Sequence, residues 1–320
     1  MDNRFSSSGF VTLMQIKRME ILASKKRFIK RECFVKNFLG VESRFTSYQK
    51  SSAVVLPIPF EKTTSYGKGT AKGPDAIIEA SQYVELYDEE TNTEPYRKGI
   101  HTMADMDCDG STEVIFSNIT DAISKLLNDN KFPVGIGGEH ALTAPIFRAF
   151  NNHFQNLSIL QLDAHADLRY SYEDSHHSHA SVMRRVFEMN PNLVQVGMRA
   201  VCKKEADFIQ NHNLPVFFAH HLHHDGFQQR IIQALQKNVY ITLDVDYFDP
   251  SVIPATGTPE PGGFHWYETL SFLQRVFMQK RVVGVDVVEL SPAEHQHHAD
   301  FTISKLIYKL IGYYYKWGNT

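Results

Sequence analysis

The chain has 320 residues, which suits one large domain of mixed helices and strands or two ordinary domains. Its net charge is -3, and it has no basic stripe with interleaved aromatic residues, so we expect no nucleic-acid partner. No apolar run approaches the roughly 20 residues that cross a bilayer, so we also expect no membrane partner. The three cysteines, Cys33, Cys108 and Cys202, are too widely spaced for a disulfide framework and indicate a reducing compartment.

Residues 1–40 differ in charge from the rest of the chain. They carry nine Lys or Arg residues against three acidic ones, a balance of +6, which leaves -9 for residues 41–320. The segment has no continuous apolar run of the kind that secretory signals need. We therefore predict a basic N-terminal extension at residues 1–40, one domain at residues 41–320 and a cytoplasmic location. An organelle transit peptide is the alternative for the extension.

From residue 53 onward, short β-rich runs alternate with segments of helical period, such as AIIEASQYVELY (76–87) and a last helix from about Asp300 to Trp317. Such alternation predicts the α/β class, with a mostly parallel sheet covered by helices on both faces. Eight apolar runs are the candidate strands: Val54–Pro57, Ile100–Met103, Pro133–Ile136, Ser158–Leu162, Val194–Gly197, Val216–Phe218, Val239–Leu243 and Val282–Val288.

Four of these runs end in acidic or metal-ligating side chains. Ligands of open α/β sheets bind at the carboxyl ends of the strands, so we expect these side chains to share one site. They are Glu139 and His140 after the third run, Asp163, His165 and Asp167 after the fourth, Asp244 and Asp246 after the seventh, and Glu289 after the eighth.

The spacing within this set indicates a metal centre. In an extended chain alternate residues point to one side, which brings Asp163, His165 and Asp167 into one cavity, and likewise Asp244 and Asp246. Four carboxylates packed together repel one another and take up protons unless cations balance them. Two divalent cations supply that balance, and carboxylate and imidazole ligands without thiolates favour Mn²⁺ over zinc. A water shared by two such ions is ionised near neutral pH and becomes a nucleophile.

Longer motifs resemble the ureohydrolase family of arginases and agmatinases, from about Phe38 to the C-terminus. SHASVMRRV and YVELYDEE are more similar to agmatinases than to arginases. The resemblance implies a three-layer α/β/α fold around an eight-stranded, mostly parallel sheet, a homotrimer or homohexamer, and hydrolysis of a guanidinium group to urea and an amine. The matching motifs are GIGGEHALT (135–143), LDAHADL (162–168), SHASVMRRV (178–186), LDVDYFDPS (243–251), ATGTPEPGG (255–263) and VGVDVVELSP (283–292).

The resemblance also implies a role for each polar position. Glu289 corresponds to the carboxylate that binds the substrate guanidinium, and His179 to the histidine that passes a proton to the leaving amine. Asp167 would also orient the nucleophile, whereas Glu139 is expected to be structural. Two Mn²⁺ per subunit are implied, one held by His140, Asp163, Asp167 and Asp244 and the other by Asp163, His165, Asp244 and Asp246.

Arg169 bears on which guanidino compound is hydrolysed. It stands where arginases carry an asparagine that recognises the amino-acid head of arginine, and its charge would repel an α-ammonium group. We therefore expect a small cationic guanidino substrate, with agmatine first and putrescine as the amine product. N1-aminopropylagmatine, 4-guanidinobutyrate, guanidine and arginine stay open as substrates. A catalytically inert regulatory subunit and a single-zinc deacetylase are the alternatives of other classes.

Overall fold

A parallel sheet of eight strands forms the centre of the computed structural model, which describes residues 37–222, 227–294 and 296–318. The strand order is β2-β1-β3-β8-β7-β4-β5-β6, and every neighbouring pair is parallel. The predicted strands are thereby confirmed. They are β1 Ala53–Ile58, β2 Ile100–Thr102, β3 Phe132–Gly137, β4 Leu157–Leu162, β5 Leu193–Met198, β6 Val216–Phe218, β7 Asn238–Asp244 and β8 Arg281–Val288.

Helices cover both faces of the sheet, as predicted for a three-layer fold. The strands are buried on both sides because their alternate residues enter two separate apolar cores. Within the described residues, α1, α6, α7 and α8 pack on one face and α2, α3, α4 and α5 on the other. The helices are α1 Gly73–Ser81, α2 Thr112–Asn128, α3 Thr143–His153, α4 Val182–Met189, α5 Lys203–His212, α6 Phe227–Ala234, α7 Trp266–Gln279 and α8 His297–Trp317.

The helical pattern at residues 76–87 was extended too far in the prediction. Helix α1 ends at Ser81, whose buried hydroxyl donates to the carbonyl of Ile78 and accepts the backbone N–H of Leu39. A serine that bonds the backbone in this way competes with helix continuation. The following residues form turns, in which Val84 is buried although Tyr83 is exposed.

The predicted extension at residues 1–40 lies almost entirely outside the described residues. At its end, Phe38 and Leu39 are buried and belong to the core on the α1 face. In the part of the chain that the structure describes, no helix combines the length and apolar character needed to cross a membrane.

The four central strands of the sheet are β3, β8, β7 and β4, and these are the strands whose ends carry the polar clusters. Their carboxyl ends therefore meet side by side at one edge. The loop after β3 passes so close to the chain after β1 that a Cβ added to Gly138 would lie 2.0 Å from the carbonyl oxygen of Phe60. Only glycine permits this approach. The close contact therefore explains the second glycine of GGEH, and no phosphate-binding role is needed to account for it.

Candidate metal centre and active site

One group of potential ligands, the inner group, consists of His140, Asp163 and Asp244. The Nδ1 atom of His140 lies 3.1 Å from Oδ2 of Asp163 and 3.5 Å from Oδ2 of Asp244. Oδ2 of Asp167 lies 3.0 Å from the same nitrogen. All these side chains are buried, so the oxygens converge on one nitrogen from which solvent is largely excluded.

Two residues that the sequence interpretation missed lie behind His140. Its Nε2 atom is 3.0 Å from the hydroxyl of Thr242, which donates to the carboxylate of Asp286 at 2.6 Å. Asp286 also accepts hydrogen bonds from Thr143 and Tyr240. An outer partner on the second ring nitrogen fixes the orientation of a ligating histidine. A signal for this was present, because Asp286 is an acid inside the apolar run of β8.

A second group, the outer group, consists of Asp163, His165 and Asp246, so it shares Asp163 with the inner group. Nδ1 of His165 lies 2.8 Å from Oδ2 of Asp246 and 3.8 Å from Oδ1 of Asp163. The side chain of His165 is 27% exposed, and its Nε2 lies 3.9 Å from the carboxylate of Glu260. The outer group therefore opens towards solvent.

The two acidic motifs converge, but not as extended strands. The backbone N–H of His165 donates to the carboxylate of Asp163, and the N–H of Asp246 donates to the carboxylate of Asp244. An aspartate that bonds the N–H two residues ahead turns the chain. Asp167 also has a φ of 53°, in the left-handed region, and its successor Leu168 is held through its N–H by the buried carboxylate of Glu205.

Burial and mutual repulsion of the carboxylates shift the pKa values of the residues in both groups. Burial, with repulsion from Asp246 and Asp167, raises the pKa of Asp163 to about 7. Burial likewise raises the pKa of Asp244. Burial alone would lower the pKa of His165, but the neighbouring carboxylates raise it to about 10. Without metal ions, protons bound to the carboxyl and imidazole groups reduce the repulsion among the carboxylates of the two groups.

These residues fit divalent cations. The buried Nδ1 of His140 has no hydrogen-bond partner among the described residues, although carboxylate oxygens surround it. A ligand nitrogen aimed at a shared metal explains that arrangement, because a buried polar atom without a partner is otherwise costly. The bridging position of Asp163 allows each group to hold an ion.

A cavity of about 410 Å³ opens above both groups. Glu289 lines it from the end of β8, with a φ of 65°, and one of its oxygens accepts the N–H of His140 at 2.6 Å. Burial raises the pKa of Glu289 to about 8, against the effect of that hydrogen bond. A buried carboxylate in this state is stabilised by a cationic ligand, which restores its charge.

The cavity wall also contains His179 and Arg169, the two remaining residues that the sequence interpretation singled out. Nδ1 of His179 lies 3.3 Å from the hydroxyl of Thr63, and its ring meets Tyr172 edge-on at 5.7 Å. The Arg169 guanidinium lies 5.1 Å from the ring of Tyr172. All nine predicted site residues thus face one region, but the roles of the individual residues stay predictions.

Arg199 is a further residue that the sequence interpretation missed. Its guanidinium donates to the carbonyl oxygens of Asp246 and Glu260, which belong to two different loops. It thereby ties the outer ligand group to the loop at residues 255–263. Nothing in its local sequence identifies this role, because its acceptors are backbone carbonyls distant in the chain.

Two overlapping groups of metal-ligating side chains, placed at the carboxyl edge of a parallel sheet below a cavity with a further carboxylate, are typical of metal-assisted hydrolases. The family model described as the arginase family matches residues 51–312. The chain belongs to this family, and it is an enzyme of the ureohydrolase class.

Individual relatives agree with this assignment. An N(1)-aminopropylagmatine ureohydrolase from Synechocystis sp. is 41% identical over 89% of this chain and 95% of its own length. An agmatinase from Pyrococcus horikoshii is 31% identical over 81% of this chain and 90% of its own. Among solved structures, the agmatine ureohydrolase of Thermoplasma volcanium superimposes with a TM-score of 0.78 at 28% identity, covering 85% of this chain and 93% of that one.

Proposed function

We propose that this protein is a binuclear manganese hydrolase that cleaves N1-aminopropylagmatine to urea and spermidine. The observation that carries the proposal is the pair of ligand groups joined by Asp163 below a cavity that contains Glu289. The sequence alone favoured agmatine. The relative from Synechocystis, at 41% identity, supports the longer substrate instead.

The inner and outer groups would hold one Mn²⁺ each, with Asp163 shared and Asp244 proposed as a second shared ligand. Carboxylates and imidazoles without thiolates suit this ion. When bound, the two ions lower the pKa of a water near them and so supply a nucleophile at neutral pH. Asp167, 3.0 Å from Nδ1 of His140, is placed to accept a hydrogen bond from the attacking water and to orient it.

Glu289 would bind the guanidinium group of the substrate. A planar guanidinium pairs with a carboxylate through two parallel N–H···O bonds, which sets its orientation as well as its affinity. One Glu289 oxygen already accepts the N–H of His140, so the carboxylate is fixed before substrate arrives. His179 would donate a proton to the leaving amine, which departs as a neutral group rather than as an amide anion.

The outer parts of the cavity suit a second positive charge. Glu260 lines the cavity with a side chain that is 39% exposed, and Tyr66, which is 84% exposed, stands on the facing loop. These two loops touch where Gly67 meets Gly257. A carboxylate and an aromatic face both attract an ammonium group, so they support binding of the aminopropyl end of the substrate.

Agmatine is the second candidate. It presents the same guanidinium to Glu289 and lacks only the α-carboxylate of arginine. The agmatinase of Pyrococcus horikoshii supports it at lower identity.

Urea release tests the proposal directly. The protein, purified and incubated with Mn²⁺, is assayed with N1-aminopropylagmatine, agmatine, arginine, 4-guanidinobutyrate and guanidine. We expect the highest kcat/KM with N1-aminopropylagmatine, agmatine next, and loss of activity after chelation. A higher kcat/KM for agmatine would transfer the assignment to that substrate. Full activity in metal-free protein would overturn the metal mechanism.

A homotrimer or homohexamer is proposed for the assembly, and light scattering of the purified protein measures it. For location we propose the cytoplasm. The described cysteines, Cys108 and Cys202, are both free thiols, which agrees with a reducing compartment.

A further inference from the structure

Glu139 is a buried carboxylate, 0% exposed, that none of the steps above uses. Its oxygens accept hydrogen bonds from the backbone N–H groups of Lys62 at 2.7 Å and Thr63 at 2.6 Å. They also accept the hydroxyl of Thr63 at 2.8 Å. Glu139 therefore fastens the loop after β1 to the loop after β3, and it fixes where the proton of the Thr63 hydroxyl points.

The hydroxyl oxygen of Thr63 also contacts His179 twice. The backbone N–H of His179 donates to it at 3.1 Å, and the ring atom Nδ1 lies 3.3 Å away. A threonine hydroxyl has a single proton to donate. Because that proton goes to Glu139, the oxygen acts as an acceptor towards the ring, and a hydrogen bond between the two requires the ring proton to be on Nδ1.

We propose that Glu139, acting through Thr63, holds His179 in the tautomer that carries its proton on Nδ1. The other ring nitrogen, Nε2, has no hydrogen-bond partner among the described residues. When the ring is an imidazolium, Nε2 gives its proton to the leaving amine, and the neutral ring that remains keeps its proton on Nδ1. This inference rests on the proposed function in one respect, namely that His179 protonates the leaving amine. Glu139 and Thr63 are positioning residues, since neither is assigned a contact with the substrate.

The arrangement matters because His179 has a competing partner. The hydroxyl of Ser178 lies 3.4 Å from the same Nδ1 atom and is free to donate towards it. If Thr63 no longer accepts the Nδ1 proton, Ser178 can favour the opposite tautomer, with the proton on Nε2. Substrate binding through Glu289 would be untouched. A neutral ring with its only proton on Nε2 would have to become an imidazolate to give that proton away, so proton transfer to the leaving amine would slow.

The test replaces Thr63 by valine, which removes the hydroxyl but keeps the shape and the backbone N–H bonded to Glu139. We expect Thr63→Val to lower kcat by about 10–100-fold, part of the range of general acid–base assistance, with KM unchanged. Thr63→Ser restores the hydroxyl and should recover kcat. Thr302→Val, which makes the same change on α8 away from the site, should leave kcat unaltered.

A double-mutant cycle identifies the route of the effect. In a His179→Asn background, Thr63→Val should cause no further loss of kcat, because the residue through which it acts is gone. An equal loss in both backgrounds, a loss confined to KM, or failure of Thr63→Ser to restore kcat would each overturn the proposal.

A readout without substrate separates this inference from the proposed function. Two-bond ¹⁵N–¹H spectra of histidine-labelled protein report the tautomer, and His179→Asn identifies the signal. The neutral ring should carry its proton on Nδ1 in the wild type and shift towards Nε2 in Thr63→Val. The Nε2 tautomer in the wild type would refute the inference, whatever the substrate assays give. Absence of urea release with every guanidino substrate would instead refute the proposed function.

Discussion

The inner and outer ligand groups share Asp163 but differ in their surroundings. In the inner group, His140 is 1% exposed, and its Nε2 is bonded to Thr242, which is bonded to Asp286. In the outer group, His165 is 27% exposed and faces Glu260 across 3.9 Å at the cavity wall. The inner group is thus oriented by the protein core, and the outer group by the loop that also lines the substrate cavity.

This difference predicts that the two groups bind their ions with different affinity. Buried hydrogen bonds behind a ligating histidine raise its affinity for a metal and hold its geometry. A partly exposed group exchanges its ion more readily and lies nearer to the incoming substrate. We therefore expect the inner group to retain its ion when the outer group has lost its own.

The largest expected effect comes from the shared ligand. Asp163→Ala should abolish binding of both ions. Activity should fall by more than the roughly 10–100-fold that is typical when a residue hydrogen-bonded to a metal ligand is replaced. Asp246→Ala should mainly weaken the outer group and leave about one ion per chain. Metal analysis of the purified variants measures this, with Asp207→Ala, a partly exposed acid on α5, as the control. Equal metal loss in both site variants would contradict the division into two groups.

The pH dependence of metal binding is the next largest effect. Without metal, burial raises the pKa of Asp163 to about 7 and also raises that of Asp244, so both carry protons below neutral pH. A cation must displace these protons and also that of His165, whose pKa is raised to about 10. Affinity should therefore rise with pH by about tenfold per unit for each proton released, and for the outer group it should continue to rise above about pH 8. Calorimetric titration with Mn²⁺ at several pH values measures the slope. An affinity independent of pH between about 6 and 8 would rule out these protonated carboxyl groups.

Thr242→Val should affect the inner group alone. The valine leaves Nε2 of His140 and the carboxylate of Asp286 without a shared partner, so affinity for the inner ion should fall by about 10–100-fold. The unsatisfied buried groups should also lower the free energy of unfolding by about 1–3 kcal/mol. Metal titration and thermal unfolding check the two parts, with Thr302→Val as the matched control. Loss of the outer ion instead would contradict the assignment of Thr242 to the inner group.

Glu260→Gln should give the smallest effect. The side chain is partly exposed, and an exposed charge pair contributes about 0.2–1 kcal/mol, or up to roughly fivefold in affinity. We expect kcat/KM to fall more for N1-aminopropylagmatine than for agmatine, with both ions retained. Steady-state kinetics on the two substrates measure the ratio. An equal decrease for both substrates would show that Glu260 acts on His165 rather than on the substrate tail.

Local sequence was sufficient for the strands and for the polar strand ends. β7 was predicted at Val239–Leu243 and lies at Asn238–Asp244, because a strand buried on both faces needs a continuous apolar run. Polar residues directly after such a run have to serve a site, since burying them without partners is costly. That argument placed His140, Asp163 and Asp246 correctly at one edge.

Local sequence was insufficient where a residue's role depends on a distant partner. Ser81, the last residue of α1, accepts the N–H of Leu39 from 42 positions away, and Thr63 accepts the N–H of His179 across 116 positions of the chain. Arg199 binds backbone carbonyls, which leave no trace in side-chain identity. Patterns of period and spacing describe a segment by itself and carry no information on such contacts.

The sequence by itself determined the α/β class, the eight strands and the acidic, imidazole-containing composition of the site, because each follows from apolar runs and the residues that end them. Only the tertiary structure decided that β3, β8, β7 and β4 lie side by side, which brings four separate strand ends to one edge. Strand order follows from how helices pack on the two faces of the sheet, and no single segment specifies it. The same packing set the inner group in the core and the outer group at the cavity, although their ligands come from the same short motifs.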